Sequence, residues 1–551
     1  MRKCILLALT ITAMAMQAIA QGPDTAWVRI YNGPGNDTDI PSPWHPAIAI
    51  DDSGYIYTTG KSIGTSSGMD YATIKYRPNG DTVWVRRYNG PGNDYDQAFS
   101  IALDHSGNVI VTGNSEGVTG YTDYATIKYG PLGNTIWTRR YDGPSGLWDD
   151  AYSVGVDYQN NVYVTGGSIG DPWNVYYYDF TTIKYDANGN QIWVRRYDGV
   201  AHGDDGAWAG LVIDSSGNVY ISGKSAATPP LPDYVFDYVT VKYYPNGDTG
   251  WVRSYNGSGD STDIPYAMAI DPQANIFVTG LSWGSTNSND IVTVKYDSSG
   301  NLLWVAQYDG PANEENGPLD VATDSFGNSY VIGASSGVSS QYDYIVIKYF
   351  ADGDTAWTHR YNGLGNWYDL PFDVATDDSG NVYVTGTSVY GSTDYDVITI
   401  KFDADGNQMW QERYTSAGNH SDAGRALALD NWGNICVSGT RGSGTSGDDY
   451  VTIKYGTAGP PPCPYLPGDI NGNGDANGVD ITYAVNYLKG IGPQPPIECA
   501  DCPNPGEMLY GAGDVNGNCQ FNGVDVTYYV NYLKGIGPAL AFCPNCPPPA
   551  R

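Results

Sequence analysis

Two stretches near the C-terminus carry side-chain oxygens at a metal-ligand spacing. In GDINGNGDANGVDITYAVNYLKGIGP (468–493), Asp469, Asn471 and Asn473 stand at positions 1, 3 and 5 of a twelve-residue loop, with Asp475 at position 7 and Asp480 at position 12. In GDVNGNCQFNGVDVTYYVNYLKGIGP (513–538), Asp514, Asn516, Asn518, Gln520 and Asp525 repeat those positions. A hard cation such as Ca²⁺ collects six or more oxygens, and alternate positions of a tight loop converge on one centre. Gly474 at position 6 allows the sharp turn of the first loop, whereas Cys519 takes that place in the second. Asn in place of carboxylate at several positions lowers the charge offered to the ion. Helix periodicity follows each loop directly: Ile481, Ala484, Val485 and Leu488 in the first copy, ended by Gly490, and Val526, Tyr529, Val530 and Leu533 in the second.

Six cysteines surround these loops: Cys463, Cys499, Cys502, Cys519, Cys543 and Cys546. An even cluster in an exported chain reads as disulfides, with Cys519 tied to one of the C-x-x-C pairs; the alternative is that those pairs hold zinc. Elsewhere the chain offers little for catalysis. Its five histidines lie far apart in sequence, so neither a metal triad nor a Ser-His-Asp set can be assembled, and no glycine-rich phosphate loop opens a helix.

The elements that must position any site are repeats. DYATIKY stands at 70–76 and again at 123–129, with near-copies at 179–185, 237–243, 290–296, 343–349, 396–402 and 449–455. A SGNVYVTG-like string precedes each, and a Gly-turn followed by a tryptophan strand (Trp84, Trp137, Trp193, Trp251, Trp304, Trp357, Trp410) follows all but the last. Each period therefore holds four short β-type runs separated by turn residues, the pattern of a propeller blade. The last TIKY run lacks a tryptophan strand, and Trp27 begins one with no TIKY run before it. The expected fold is all-β: an eight-bladed β-propeller whose N-terminal strand completes the last blade and removes both sheet edges, with seven blades and an irregular remainder as the alternative. Attached to it is a small α-helical, duplicated EF-hand-like domain.

Within DYATIKY, Ala72, Ile74 and Tyr76 face one way and Tyr71, Thr73 and Lys75 the other, so each copy is expected to pack against two neighbouring blades. The lysine recurs in every copy and needs a partner, for which the repeated aspartates are the candidates. Asp39, Asp96, Asp150, Asp205, Asp263, Asp369 and Asp422 stand before the first strand of their blades. They form either a ring of charge at one channel mouth or caps on turn N–H groups; the second is the expectation. Cys436, inside a strand, reads as a buried free thiol.

D-x-x-G-N-x-Y-V-T-G followed by the TIKY run resembles the bacterial SBBP-type β-propeller repeat over about residues 22–458, a family defined by architecture with no common activity. The G-N-x-x-W portion also resembles the tryptophan-docking motif of eight-bladed quinoprotein dehydrogenases, in which the indole packs between blades. The duplicated loop-helix resembles a type I dockerin, a calcium-dependent module that plugs into a cohesin on a scaffold or cell-surface protein. That resemblance implies Ca²⁺ at the loops and partner contacts at positions 10 and 11, here Gly478 and Val479, and Gly523 and Val524.

Residues 1–20 read as a secretory signal, with Arg2 and Lys3, an apolar run and an Ala-Ile-Ala cleavage site. The expected organisation is then the propeller over 21–458, a Pro/Gly linker over 459–467, the calcium module over 468–538 and a Cys/Pro-rich tail over 539–551. No later stretch is long and apolar enough for a membrane span. The formal net charge of −32 argues against nucleic acid as a partner. The functional expectation is a secreted or surface-attached, non-catalytic binding and display scaffold with a cohesin-like or other scaffold partner, and a glycan as a further candidate. The alternative is a dockerin-borne carbohydrate-binding component or a polysaccharide-active hydrolase or lyase.

Overall fold

The computed structural model describes residues 22–456, apart from 43–46, 171–176, 228–234, 260, 285–287, 313, 339, 390–393, 419 and 445–446. Towards the C-terminus it describes 478–489, 499–500, 508–509, 526–527 and 529–531.

Eight antiparallel sheets follow one another around a ring, and seven of them are contiguous in sequence. In the second blade, for example, Asp96–Leu103, Val109–Glu116, Thr122–Tyr129 and Thr135–Tyr141 run from first to fourth strand. The eighth blade takes its first three strands from Asp422–Leu429, Ile435–Gly442 and Asp448–Tyr455 and its fourth from Thr25–Tyr31 at the other end of the chain. Trp27 pairs with Lys454 and Tyr31 with Tyr450 in that closing ladder. The non-covalent closure expected from the unmatched ends is therefore present, with eight blades.

Each core lies between two blades. One cluster joins Tyr57, Tyr71 and Trp84 of the first blade to Ala98, Ile101, Val111 and Ile127 of the second. The cluster that closes the ring joins Ile56, Ala72 and Ile74 to Trp27, Ala426 and Tyr450. The two faces of DYATIKY thus pack on opposite neighbours, which is why second and third strands are buried along nearly their whole length. In the second blade Thr112 and Thr126 pair across the ladder with Oγ1 atoms 2.9 Å apart, which satisfies both buried hydroxyls.

The tryptophan strand fastens each blade to the next. Trp137 Nε1 donates to the Ala187 carbonyl at 3.1 Å, and Lys128 Nζ donates to the same oxygen at 3.1 Å. The indole lies on Gly189, whose φ of +80° and lack of a Cβ leave room for the ring. Gly80, Gly300, Gly353 and Gly406 serve Trp27, Trp251, Trp304 and Trp357 alike. The docking arrangement suggested by G-N-x-x-W is present as packing.

Towards the C-terminus, Gly478–Leu488 is a helix that begins where the first oxygen-rich loop ends. Ala484 is fully buried, while Leu488, the last residue of the expected stripe, is 41% exposed. Cys499–Ala500 pairs with Met508–Leu509. No helix among the described residues is long and apolar enough to cross a membrane.

Candidate functional site

The most repeated polar residues are consumed by the architecture. The aspartate of D-x-x-G-N caps the turn between first and second strands: Asp104 Oδ1 accepts from the N–H groups of Ser106 and Asn108, both at 2.9 Å. Its other oxygen takes the Asn108 amide and the ammonium of Lys128, the latter at 2.7 Å with both side chains almost wholly buried. Lys184, Lys295 and Lys454 meet Asp157, Asp271 and Asp430 in the same way. In these four blades lysine has the aspartate partner anticipated, and Lys184 and Lys295 lie over the rings of the second-strand aromatics Tyr163 and Phe277 as well.

The aspartates that open the first strands are caps too. Asp96 Oδ2 accepts from Gly90 N at 2.7 Å, Asp205 from Gly199 N at 2.6 Å and Asp369 from Gly363 N at 2.7 Å. In the third blade the residue in this place is Asp149, bound to Gly143 N at 2.6 Å, rather than Asp150. Asp150 instead receives hydrogen bonds from Asn114, Thr122 and Tyr178 across two blades. The sequence pair Asp149-Asp150 does not reveal which member enters the turn; strand register decides it. Burial pushes the Asp149 carboxyl up to about 7 and that of Asp205 to about 6. Cys436 is buried and free, and burial pushes its thiol up to about 12, far from a reactive thiolate.

The channel along the ring axis holds what these roles leave over. In blades two to eight the first strand slips against the second: Ala98 pairs with Gly113 and Ser100 with Thr112, leaving Phe99 as a bulge. The same slip isolates Tyr152, Tyr266, Leu319, Phe372 and Arg425, and a wider one in the fourth blade contains Trp208. The bulge drives a first-strand carbonyl against the glycine that ends V-Y-V-T-G, so that a Cβ on Gly113 would collide with the Gln97 carbonyl and one on Gly386 with that of Leu370. That glycine was the sequence signal for the bulge and for the side chains it turns towards the axis.

A cavity of about 380 Å³ lies at the waist of this channel, lined by first strands of seven blades. Tyr266, Leu319, Phe372 and Arg425 border it at the bulge level. One residue further on stand Ser100, Ser153, Gly210, Ala267, Asp320 and Asp373. Asp320 Oδ2 accepts from Val374 N at 3.1 Å and Asp373 Oδ2 from Leu427 N at 2.6 Å, each bridging to the next blade. Their carboxyl groups lie within hydrogen-bond reach of each other. Burial raises both, and the neighbouring charge of Asp320 pushes Asp373 higher still. A glycosidase needs its two carboxyl groups ~5 Å or more apart, with the sugar bond between them, and this pair is too close for that chemistry.

Of the calcium-ligand candidates, Asp480 lies in the first turn of the helix Gly478–Leu488, which also begins with the proposed partner contacts Gly478 and Val479. Asp469, Asn471, Asn473, Asp475, Asp514, Asn516, Asn518, Gln520 and Asp525, together with Gly523 and Val524, lie outside the described residues, as do Cys463, Cys502, Cys519, Cys543 and Cys546. Cys499 opens the short strand paired to Met508–Leu509.

The β-propeller repeat family designated SBBP matches residues 250–291, most of one blade's length, spanning the last strand of the fourth blade, the first two strands of the fifth and the start of its third. An uncharacterized WD repeat-containing protein, L264 of Acanthamoeba polyphaga mimivirus, is 25% identical over 244 residues, which is 34% of this chain and 17% of that protein. The match thus spans about a sixth of that relative. Among solved structures, the WD40 domain of SCAP from fission yeast is similar over 78% of this chain and 99% of its own, at 10% identity and a TM-score of 0.41. Polysaccharide lyase Uly1 is similar over 67% and 92%, at 12% identity and a TM-score of 0.39. The chain is an eight-bladed β-propeller, one stretch of which matches the SBBP repeat.

Proposed function

We propose that this protein is a secreted, non-catalytic binding and display scaffold, attached to a cohesin-like or other surface or scaffold protein through the calcium-organised, dockerin-like module of residues 468–538. The observation that carries the scaffold reading is that the repeated Asp, Lys, Arg and Trp side chains are spent on joining blades. What varies between blades is left to the channel and the loops, which suits recognition. The attachment reading is supported by the duplicated ligand spacing and by a helix that starts at Gly478, as an EF-hand-type loop requires.

The test uses the full chain. Calorimetric titration of calcium-stripped protein should show Ca²⁺ uptake that Asp469→Ala reduces, with Asp514→Ala affecting a second, weaker site. Immobilised full chain should then capture a defined protein from the source's secreted and surface fractions, and EDTA or Asp469→Ala should release it. Calcium uptake without any EDTA-sensitive capture would reject docking while leaving the scaffold reading in place. Thiol titration in denaturant should find one reactive thiol per mature chain, that of Cys436, if the six C-terminal cysteines are paired; zinc held by C-x-x-C pairs would instead release metal and leave further thiols.

A further inference from the structure

The waist of the channel differs from the rest of the ring in a way the fold does not require. Around the level just past the bulge, blades two and three offer serine, blades four and five offer Gly210 and Ala267, and blades six and seven offer Asp320 and Asp373. Every one of these residues belongs to the same strand position, so packing alone would favour one residue type. The polar atoms are gathered on two sides, and the small residues leave the space between them.

The bulge level is also uneven. Aromatic or aliphatic side chains occupy it in most blades, but the eighth places Arg425 there, with its guanidinium 4.5 Å from the centre of the Phe372 ring. The Nε of Arg425 is buried and meets no acceptor among the described residues. Among the described residues Asp448 is the acid that acts on it, through charge and without a hydrogen bond. A buried donor without an acceptor is costly, so it is a group waiting for an oxygen. Large rings nearby are unusually open for a propeller core: Trp208 is 51% exposed and Tyr266 37%.

Charge narrows what such a cavity accepts. An anion would face the Asp320–Asp373 pair inside a chain of net charge −32. A cation would face Arg425, whose guanidinium borders the same cavity. A wholly apolar ligand would strip water from Arg425 and both acids without replacing it. What remains is a neutral molecule with many hydroxyl groups and an apolar face. A cavity of about 380 Å³ falls within the usual range for small-ligand sites. We propose that the channel waist binds the neutral end of a saccharide, with Tyr266 and Phe372 against its C–H face, Asp320 and Asp373 on vicinal hydroxyls, and Arg425 Nε donating to a ring or hydroxyl oxygen.

This inference rests on the scaffold reading and names what the propeller holds, yet it fails separately from docking, because calcium and partner capture depend on residues 468–538. The test is saturation-transfer NMR and tryptophan fluorescence on the full chain. Probes are glucose, galactose, mannose, xylose and N-acetylglucosamine, their β-1,4-linked disaccharides, and glucuronate as an anionic control. At least one neutral probe should bind more tightly than about 10 mM. Arg425→Gln and Tyr266→Ala should each weaken that binding about tenfold or more, while Trp367→Ala on an exposed loop and Asp469→Ala leave it unchanged. Thermal midpoints of all variants establish folding, and Tyr266→Ala carries the test if Arg425→Gln does not fold. Absence of binding by every neutral probe, tighter binding of glucuronate, or binding indifferent to both channel variants would each overturn the proposal.

Discussion

Lys128 and Asp104 show how this protein uses charge. The pair is 2.7 Å apart with both side chains nearly inaccessible, and each member also holds backbone: Lys128 a carbonyl of the next blade, Asp104 the N–H groups of its own turn. Removing one partner of such a pair strands the other, so Lys128→Met is expected to cost about 3–5 kcal/mol in denaturant unfolding, partly restored by Asp104→Asn in the same chain. A loss below about 1 kcal/mol would mean that water reaches the site. The blade-opening caps work in the opposite direction. Asp149 and Asp205 titrate at about 7 and about 6 because burial disfavours their charged forms. A carboxyl raised on folding binds its proton more tightly in the native chain, so its stabilising contribution is complete below the ordinary carboxylate range and is lost as pH rises through the folded value. The thermal midpoint should therefore fall by a few degrees between pH 5 and pH 8, and Asp149→Asn with Asp205→Asn should flatten that slope. Asp104 and Asp377 are held low by their hydrogen bonds, so stability should also fall once pH drops below the ordinary carboxylate range.

At the scale of the element, a blade is held to its neighbour by an indole resting on a glycine. Gly189 has φ of +80°, and a Cβ there would stand 2.7 Å from Trp137 Cδ2. Gly189→Ala is expected to cost about 2–5 kcal/mol, combining left-handed strain with displacement of the ring, and to weaken the Trp137 to Ala187 hydrogen bond. Near-ultraviolet circular dichroism and denaturant unfolding would report both effects. Gly107, in the turn between first and second strands, has a similar φ of +74° with only Pro131 nearby at 3.9 Å, so Gly107→Ala should show the backbone strain alone. Equal losses at the two positions would show that the indole contact adds nothing.

For the whole molecule, closure is the decisive event. Thr25–Tyr31 is far from Asp448–Tyr455 in sequence, and pairing them brings a large loop-closure cost that is repaid when the eighth core forms. Deleting residues 22–31 should leave Asp448–Tyr455 as an open edge and Gly80 without its tryptophan. The expected result is a broadened unfolding transition and self-association in size-exclusion chromatography. A monomeric deletion variant with a sharp, unshifted transition would show that the ring does not depend on its closing strand.

The repeat count, the four strands per blade, the closing strand and the Lys–Asp partnership could all be read from the chain, because each follows from local spacing repeated eight times. Repetition averages out local ambiguity, and a tryptophan strand missing at one end and present at the other has one simple solution. The helix Gly478–Leu488 was legible from its apolar spacing after the oxygen-rich stretch. Asp320 and Asp373 were not, since neither differs in sequence from dozens of other aspartates, and they meet only because adjacent blades bring positions 53 residues apart to one level of the axis. Arg425 likewise enters the channel because a bulge, forced against a second-strand glycine, turns one residue per blade inward. Periodicity specifies what every blade shares; the tertiary structure alone decides which of the unshared residues face one another across the channel, because that depends on the register of strands joined through space.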